Sequence, residues 1–244
     1  MYKENHMFHT PEKETIVWRY IDFTKFVDLL TSKKLFFCRS DNFEDPFEGI
    51  FRLKDFDKTN GMFDDQSITK KFYFLNCWHI NNHQSDAMWK IFLNTNNGIA
   101  IKSTVGNIIK SLEKTENEVG ISKVYYRDFD KVTFNDLMFE PQNRMFGGRG
   151  GSVNQFNYKR ISFEHEKELR LYYIDLPIPH VIKNGVPREP LMKKHIDVNI
   201  SELIQEVVIA PFADKWFQEM VERLLIELNL DFKITQSDLY KLKE

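Results

Sequence analysis

The chain has 244 residues, a formal net charge of −2 and a sequence pI near 6.4, so no whole-molecule field draws it to nucleic acid or to an anionic membrane. Hydrophobic residues make up 42 % and 22 residues are phenylalanine, which excludes a disordered polar chain and predicts a strongly aromatic core. Two cysteines exclude a disulfide framework, the apolar runs are too short to span a membrane, and the N-terminus lacks an apolar signal-type core; a soluble, cytoplasmic protein of bacterial type is expected.

Residues 1–14 are polar and are expected to be loose. Residues 16–20 read as a strand, after which Asp22 or Thr24 caps a short helix carrying Phe26, Leu29 and Leu30 at helical spacing. Residues 35–38 form a second strand, followed by a turn-rich loop over 39–49 in which Pro46 excludes a helix interior. Residues 52–70 read as a charged surface excursion. A buried aromatic strand is expected over 72–78, a polar loop over 79–85, a helical turn over 86–92 and a strand over 98–102. A helix over 105–112 and an alternating strand over 119–126 come next.

Residues 141–157 contain four glycines within 147–151 and read as a flexible loop. The basic residues Arg144, Arg149, Lys159 and Arg160, with no acid between 141 and 160, suit such a loop to gripping a phosphate or nucleic acid; a plain surface insertion is the other reading. Residues 169–176 continue a strand, and 177–190 are rich in proline. A strand over 206–210, an amphipathic helix over 213–228 with Trp216, Phe217, Met220, Leu224 and Leu225 near one side, and a short strand over 232–235 complete the chain. With no repeat and no clear linker, the expectation is one α+β domain over 1–244, with a central, mainly antiparallel β-structure flanked by short helices.

The most informative segment is 158–173. Glu164, Glu166 and Glu168 fall at every second position, followed by Arg170. At strand spacing these side chains share one face. Like charges that close repel, so a row of carboxylates suits a site that stabilises positive charge on a substrate. A solvated helix or strand end with local ion pairs is the bland alternative. Cys77, His79 and His83 supply three metal-type ligands without a nearby fourth, so no structural zinc is expected. Trp18, Trp78 and Trp89 read first as core or pocket wall and second as stacking platforms. Arg19 reads equally as a structural ion-pair partner.

The segments W-R-Y-I-D-F, N-F-E-D-P-F-E-G, C-W-H, D-A-M-W-K, N-G-I-A-I-K-S-T and K-R-I-S-F-E-H-E-K-E-L-R together resemble a widespread bacterial family of domains of unknown function, over about residues 17–236. The layout is also similar to the ADP-ribosyltransferase fold, above all its DNA-modifying toxin branch. Here Arg19 on a first strand is followed by the helix 26–30, and Glu166-Lys-Glu168 leads into an apolar strand. The Ser-Thr-Ser strand of that fold is absent; residues 74–78 take its place. This resemblance implies NAD as a substrate and a nucleic-acid or protein acceptor. It also implies a role in phage defence or as a toxin, with an antitoxin or defence partner. Glu168 would be the catalytic carboxylate and Glu166 its helper. Arg19 would anchor the pyrophosphate, and Tyr20, Trp78, Trp89 and Arg160 would complete the ligand pocket. Two other readings stand beside it: a metal-dependent nuclease using Asp45, Glu48, Glu164 and Glu166, and a non-catalytic module binding a nucleotide or peptide.

Overall fold

The computed structural model describes residues 1–4, 7–50, 52–55, 69–93, 96–143, 153–175 and 189–242. Strand β1 (Ile16–Asp22), with Val17, Trp18, Tyr20 and Ile21 buried on its two faces, leads into helix α1 (Phe23–Ser32), where the Asp22 carboxylate accepts from the Lys25 N–H and Phe26, Leu29 and Leu30 are buried. Lys33, in the left-handed region at φ 54°, closes α1 and turns the chain into β2 (Lys34–Arg39). Strand β3 (Tyr73–Ile80), helix α2 (Asp86–Phe92), strand β4 (Gly98–Thr104) and helix α3 (Val105–Ser111) follow as expected. The remaining strands are β5 (Gly120–Lys123), β6 (Tyr125–Arg127), β7 (Tyr158–Arg160), β8 (Glu168–Ile174), β9 (Lys194–Asp197), β10 (Glu206–Ile209) and β11 (Lys233–Gln236). Among the described residues the remaining α-helices are α4 (Phe134–Met138), α5 (Ile200–Leu203) and α6 (Lys215–Glu227).

Nine strands form one mixed, mainly antiparallel sheet with the path β11-β10-β4-β1-β3-β2-β9, and β8 joins β3 to β5 on the other side. Strand β3 is the hinge of this arrangement. On one edge it pairs with β8 from Tyr73↔Ile174 to His79↔Glu168. On the other edge β1 meets it at Val17↔Ile80 and Trp18↔His79, and β2 at Cys38↔Leu75 and Arg39↔Phe74. The sheet therefore forks at residues 76–78. Asn76 spans the opening, donating to the Phe36 carbonyl and accepting from Trp78 Nε1, both at 2.8 Å.

Strand parity assigns side chains to the two faces of this sheet. Trp18, Tyr20, Cys77, His79, Glu168 and Arg170 share one face, because His79 lies opposite both Trp18 and Glu168. Val17, Arg19, Ile21, Trp78 and Leu169 share the other. The main core joins this sheet to α1, α3, α5 and α6. A smaller cluster of Leu75, Phe156 and Tyr172 covers the far end of the face that bears Glu168.

Three expectations change. The N-terminal segment is tethered along β5: Lys123 N–H donates to the His9 carbonyl, Thr10 Oγ1 to that of Ile121, and Phe8 packs on Tyr172 at 4.9 Å. The single strand expected over 119–126 is two, β5 in the main sheet and β6 paired in parallel with β7. In α6 the buried residues are Phe217, Val221 and Leu225, whereas Trp216 is half exposed. Residues 144–152 of the expected glycine-rich loop lie outside the described residues.

The segment Asp45-Pro-Phe-Glu-Gly49 is a turn. Asp45 accepts from the Phe47 N–H, and Gly49 has φ 65°. A Cβ at Gly49 would lie 2.1 Å from the Phe156 ring. Gly49→Ala is therefore expected to lower unfolding free energy by about 1–3 kcal/mol through overpacking and backbone strain, measurable by urea denaturation; an unchanged midpoint would contradict the turn assignment.

Candidate active site

The acidic row is not a strand. Residues Ile161–Glu166 form a 3-10 helix, and Lys167, at φ 42°, turns the chain before β8 begins at Glu168. Alternation along one strand therefore does not place these carboxylates. Glu164 is exposed, with no ion pair among the described residues. Glu166 is instead folded back beside Glu168 by the 3-10 turn, and Lys159 of β7 pairs with both.

Glu168 and Arg170 are buried, at 7 % and 1 % exposure. Arg170 clamps Glu168 through Nε at 2.7 Å and Nη2 at 3.1 Å. Its Nη1 reaches Glu48 at 2.6 Å and the Phe156 carbonyl at 2.9 Å. Lys159 Nζ lies 2.8 Å from Glu168 and 3.7 Å from Glu48. The Asp45-Pro-Phe-Glu-Gly turn thus delivers Glu48 to Arg170 on the sheet face. Arg160 pairs with Asp45 at 2.9 Å, lies over Phe47 at 4.4 Å and reaches Phe163 at 5.2 Å; Lys159 reaches the same Phe163 ring at 4.6 Å.

Three carboxyl groups, Glu48, Glu166 and Glu168, face two cations, Lys159 and Arg170. A buried cluster with a net negative charge is costly, and a proton on one carboxyl removes that charge. Glu166 is where the proton resides. Burial, the hydrogen bond to Glu168 and repulsion from its charge push Glu166 up to about 8, against the pull of Lys159. Burial also disfavours charge on Glu168, yet Arg170 and Lys159 outweigh it and hold that carboxyl well below the usual range. The two titrate as a coupled pair.

Beside them lies His79, 4 % exposed. Its Nδ1 is 2.7 Å from the Glu166 carbonyl oxygen, so the proton is assigned to Nδ1 and Nε2 is left as an acceptor. Burial, with Lys167 and His165 adding, lowers its pKa against that hydrogen bond, so the ring is neutral. Nε2 is buried and has no hydrogen-bond partner among the described residues. Sequence reasoning weighed His79 only as a zinc ligand; its register opposite Glu168 is the signal that primary sequence does not display. Tyr20 shares this face, its hydroxyl accepting from the Ser85 N–H at 2.8 Å, and Trp89 of α2 meets its ring edge-on at 4.9 Å.

The structure does not bring Arg19 and Trp78 to Glu168. Both lie on the opposite face, with the Arg19 guanidinium 5.8 Å from the Trp78 ring centroid. Of the four acids of the nuclease reading, Glu48 and Glu166 meet at Lys159, but Asp45 is taken by Arg160 and Glu164 is exposed, so the set of four does not converge. Among the described residues no group of three His, Cys, Asp or Glu is placed to hold a metal, and His83 is exposed, away from buried His79. Also among them, no helix is long and apolar enough to cross a membrane.

No family model matches the chain, and no curated protein matches it. Among solved structures, Thermus sp. 2.9 DarT in complex with NAD+ is similar over 93 % of this chain and 98 % of that chain, at 9 % identity and a TM-score of 0.38. At that similarity the likeness decides neither fold nor activity.

Arg170→Met leaves Glu168 and Glu48 without their shared cation, and an unfolding cost of about 3–5 kcal/mol is expected by denaturant titration; a cost below 1 kcal/mol would contradict the cluster. Glu166, a carboxyl raised in the folded state, binds its proton more tightly there than in the unfolded chain. Its contribution to stability therefore declines as pH rises from its unfolded value through about 8. Glu166→Gln keeps the neutral shape and removes the titration. The melting temperature of the variant relative to the native chain should climb between about pH 5 and 8 and level off above; a flat difference would sink the assignment.

Proposed function

We propose that the chain is an ADP-ribosyltransferase-like enzyme that cleaves NAD at the nicotinamide–ribose bond and passes the ribosyl carbon to an acceptor. The observation that supports this reading most is the coupled pair: one carboxylate held ionised by two cations, and a second carboxyl beside it that keeps a proton near neutral pH. Cleavage sends the bonding electron pair to nicotinamide, which leaves neutral, and positive charge develops on the ribose. Glu168 is the fixed negative charge that stabilises that oxocarbenium character. His79 Nε2, an acceptor without a partner, takes a ribose hydroxyl. Tyr20 and Trp89 form the aromatic wall for nicotinamide. Arg160, whose Nε has no hydrogen-bond partner among the described residues, meets a phosphate. The acceptor's nucleophilic atom attacks the ribosyl carbon, and deprotonated Glu166 takes its proton.

A second reading has its own observation. Glu168 is closed off by its cations, and three cavities of the described residues, beside Trp89, beside Lys102 and at Arg19, do not include it. A non-catalytic nucleotide- or peptide-binding module needs no access to that carboxylate, and the charged cluster is then a structural one.

Nicotinamide release from NAD by the purified chain separates the two. Glu168→Gln should reduce turnover by on the order of 10²–10³ while NAD binding persists. Glu166→Gln should retain slow NAD hydrolysis and lose acceptor modification, and in the native enzyme modification should rise with pH toward 8 as Glu166 loses its proton. Nicotinamide release that is unchanged in Glu168→Gln, or absent in the native chain with NAD bound, would leave the binding module standing.

A further inference from the structure

Among the described residues, Arg19 is the guanidinium or ammonium lining the β1–β2 fork that lacks a carboxylate partner. The fork, flanked by α1, borders a half-open cavity of about 380 Å³ lined by Arg19, Lys25, Asp28, Lys34, Phe36 and His195 among others. This is the size of a small-molecule site. Lys25 and Lys34 at its rim are already paired, with Asp22 at 2.8 Å and Asp197 at 3.4 Å. No described carboxylate lies within ion-pair distance of Arg19, and its Nη1 is buried without a hydrogen-bond partner. Burial pushes its pKa down to about 10 against the pull of Cys77, with no carboxylate opposing the shift. Among the described residues the Trp78 ring, 5.8 Å from the guanidinium, offsets part of the cost of holding this partly buried charge, and no carboxylate does.

The opposite wall is aromatic. Phe36 is 41 % exposed and lies beside His195, ring centroids 5.3 Å apart. These two residues are register partners across β2 and β9, so the surface they present is held by backbone ladder bonds rather than by a loop. A guanidinium at depth, two lysines at the rim and a flat exposed ring match a ligand with a phosphate at one end and a planar base at the other. Asp28, the one acid lining the cavity, suits a sugar hydroxyl between them.

We propose that the fork is a second ligand site, for a nucleoside monophosphate, with its phosphate on Arg19 and its base against Phe36 and His195. It lies in the opening between β1 and β2, with Arg19 on the sheet face opposite Glu168, and does not depend on the catalytic reading of Glu168.

Adenosine monophosphate and inorganic phosphate are the probes, titrated into the full chain by calorimetry and thermal shift. The native chain and Glu168→Gln should bind adenosine monophosphate alike. Arg19→Met should bind it about tenfold more weakly or worse, and its ligand-free melting temperature should equal or exceed the native one, because an unpaired buried charge has been removed. Phe36→Ala should weaken the nucleotide and leave inorganic phosphate unaffected. If Arg19→Met does not fold, Lys34→Gln, at the exposed rim, should weaken the nucleotide instead. No binding by the native chain, full binding by Arg19→Met or by both Lys34→Gln and Phe36→Ala, or loss of binding in Glu168→Gln would each overturn the proposal. The last result would place the ligand on the Glu168 face and leave the transferase reading intact.

Discussion

Three carboxyl groups and two cations buried on one face of β3 and β8 set the terms for the rest of the structure. Glu168 and Arg170 are neighbours on a single strand, but the charges that complete them come from other elements: Glu48 from a turn distant in sequence, Lys159 from β7, and Glu166 from the 3-10 turn just before β8. Each must arrive for the others to be tolerated, because an unpaired member costs several kcal/mol. The cluster therefore ties the Asp45–Gly49 turn and the 158–166 segment to the sheet. It leaves an excess of one carboxyl, and the proton that corrects the excess sits on Glu166. The same imbalance that makes the cluster expensive gives it an ionised and a protonated carboxyl side by side, which is what acid–base chemistry requires.

The fork of the sheet is the second constraint. Because β1 and β2 each pair with a different end of β3, the sheet opens between them, and α1 spans the gap it creates. Period-two alternation then separates Arg19 from Tyr20 onto opposite faces. The pair is adjacent in sequence and belongs to two environments: Tyr20 to the Glu168 face with His79 and Trp89, Arg19 to the fork with Phe36 and His195. A single pocket holding both residues is incompatible with their shared strand.

Much of the architecture was legible from local patterning. The capped helix after β1, the aromatic strand β3 and the strand at 206–209 follow from periodicity, capping and β-branched content. Strand β9 was missed because it lies next to a proline-rich stretch and its partner β2 is about 160 residues away. The alternating glutamates misled for a definable reason: spacing of two is also compatible with a 3-10 turn, and only Lys167 in the left-handed region separates the two. The importance of Glu168 and Arg170 was visible as an unusual charge pattern ahead of an apolar run. Their partners Glu48 and Lys159, and the buried Nε2 of His79, depend on strand register and remote turns, which composition and local periodicity do not encode.

The protonation state of the Glu166–Glu168 pair tests this account most directly. Carboxyl carbon resonances of selectively labelled glutamate, followed by nuclear magnetic resonance from pH 4 to 9 and assigned with Glu166→Gln and Glu168→Gln, report each group separately. The account predicts that the Glu166 signal titrates near 8 and that Glu168 remains ionised throughout. Both signals titrating together near the ordinary carboxylate value would show that no shared proton exists, and would contradict it.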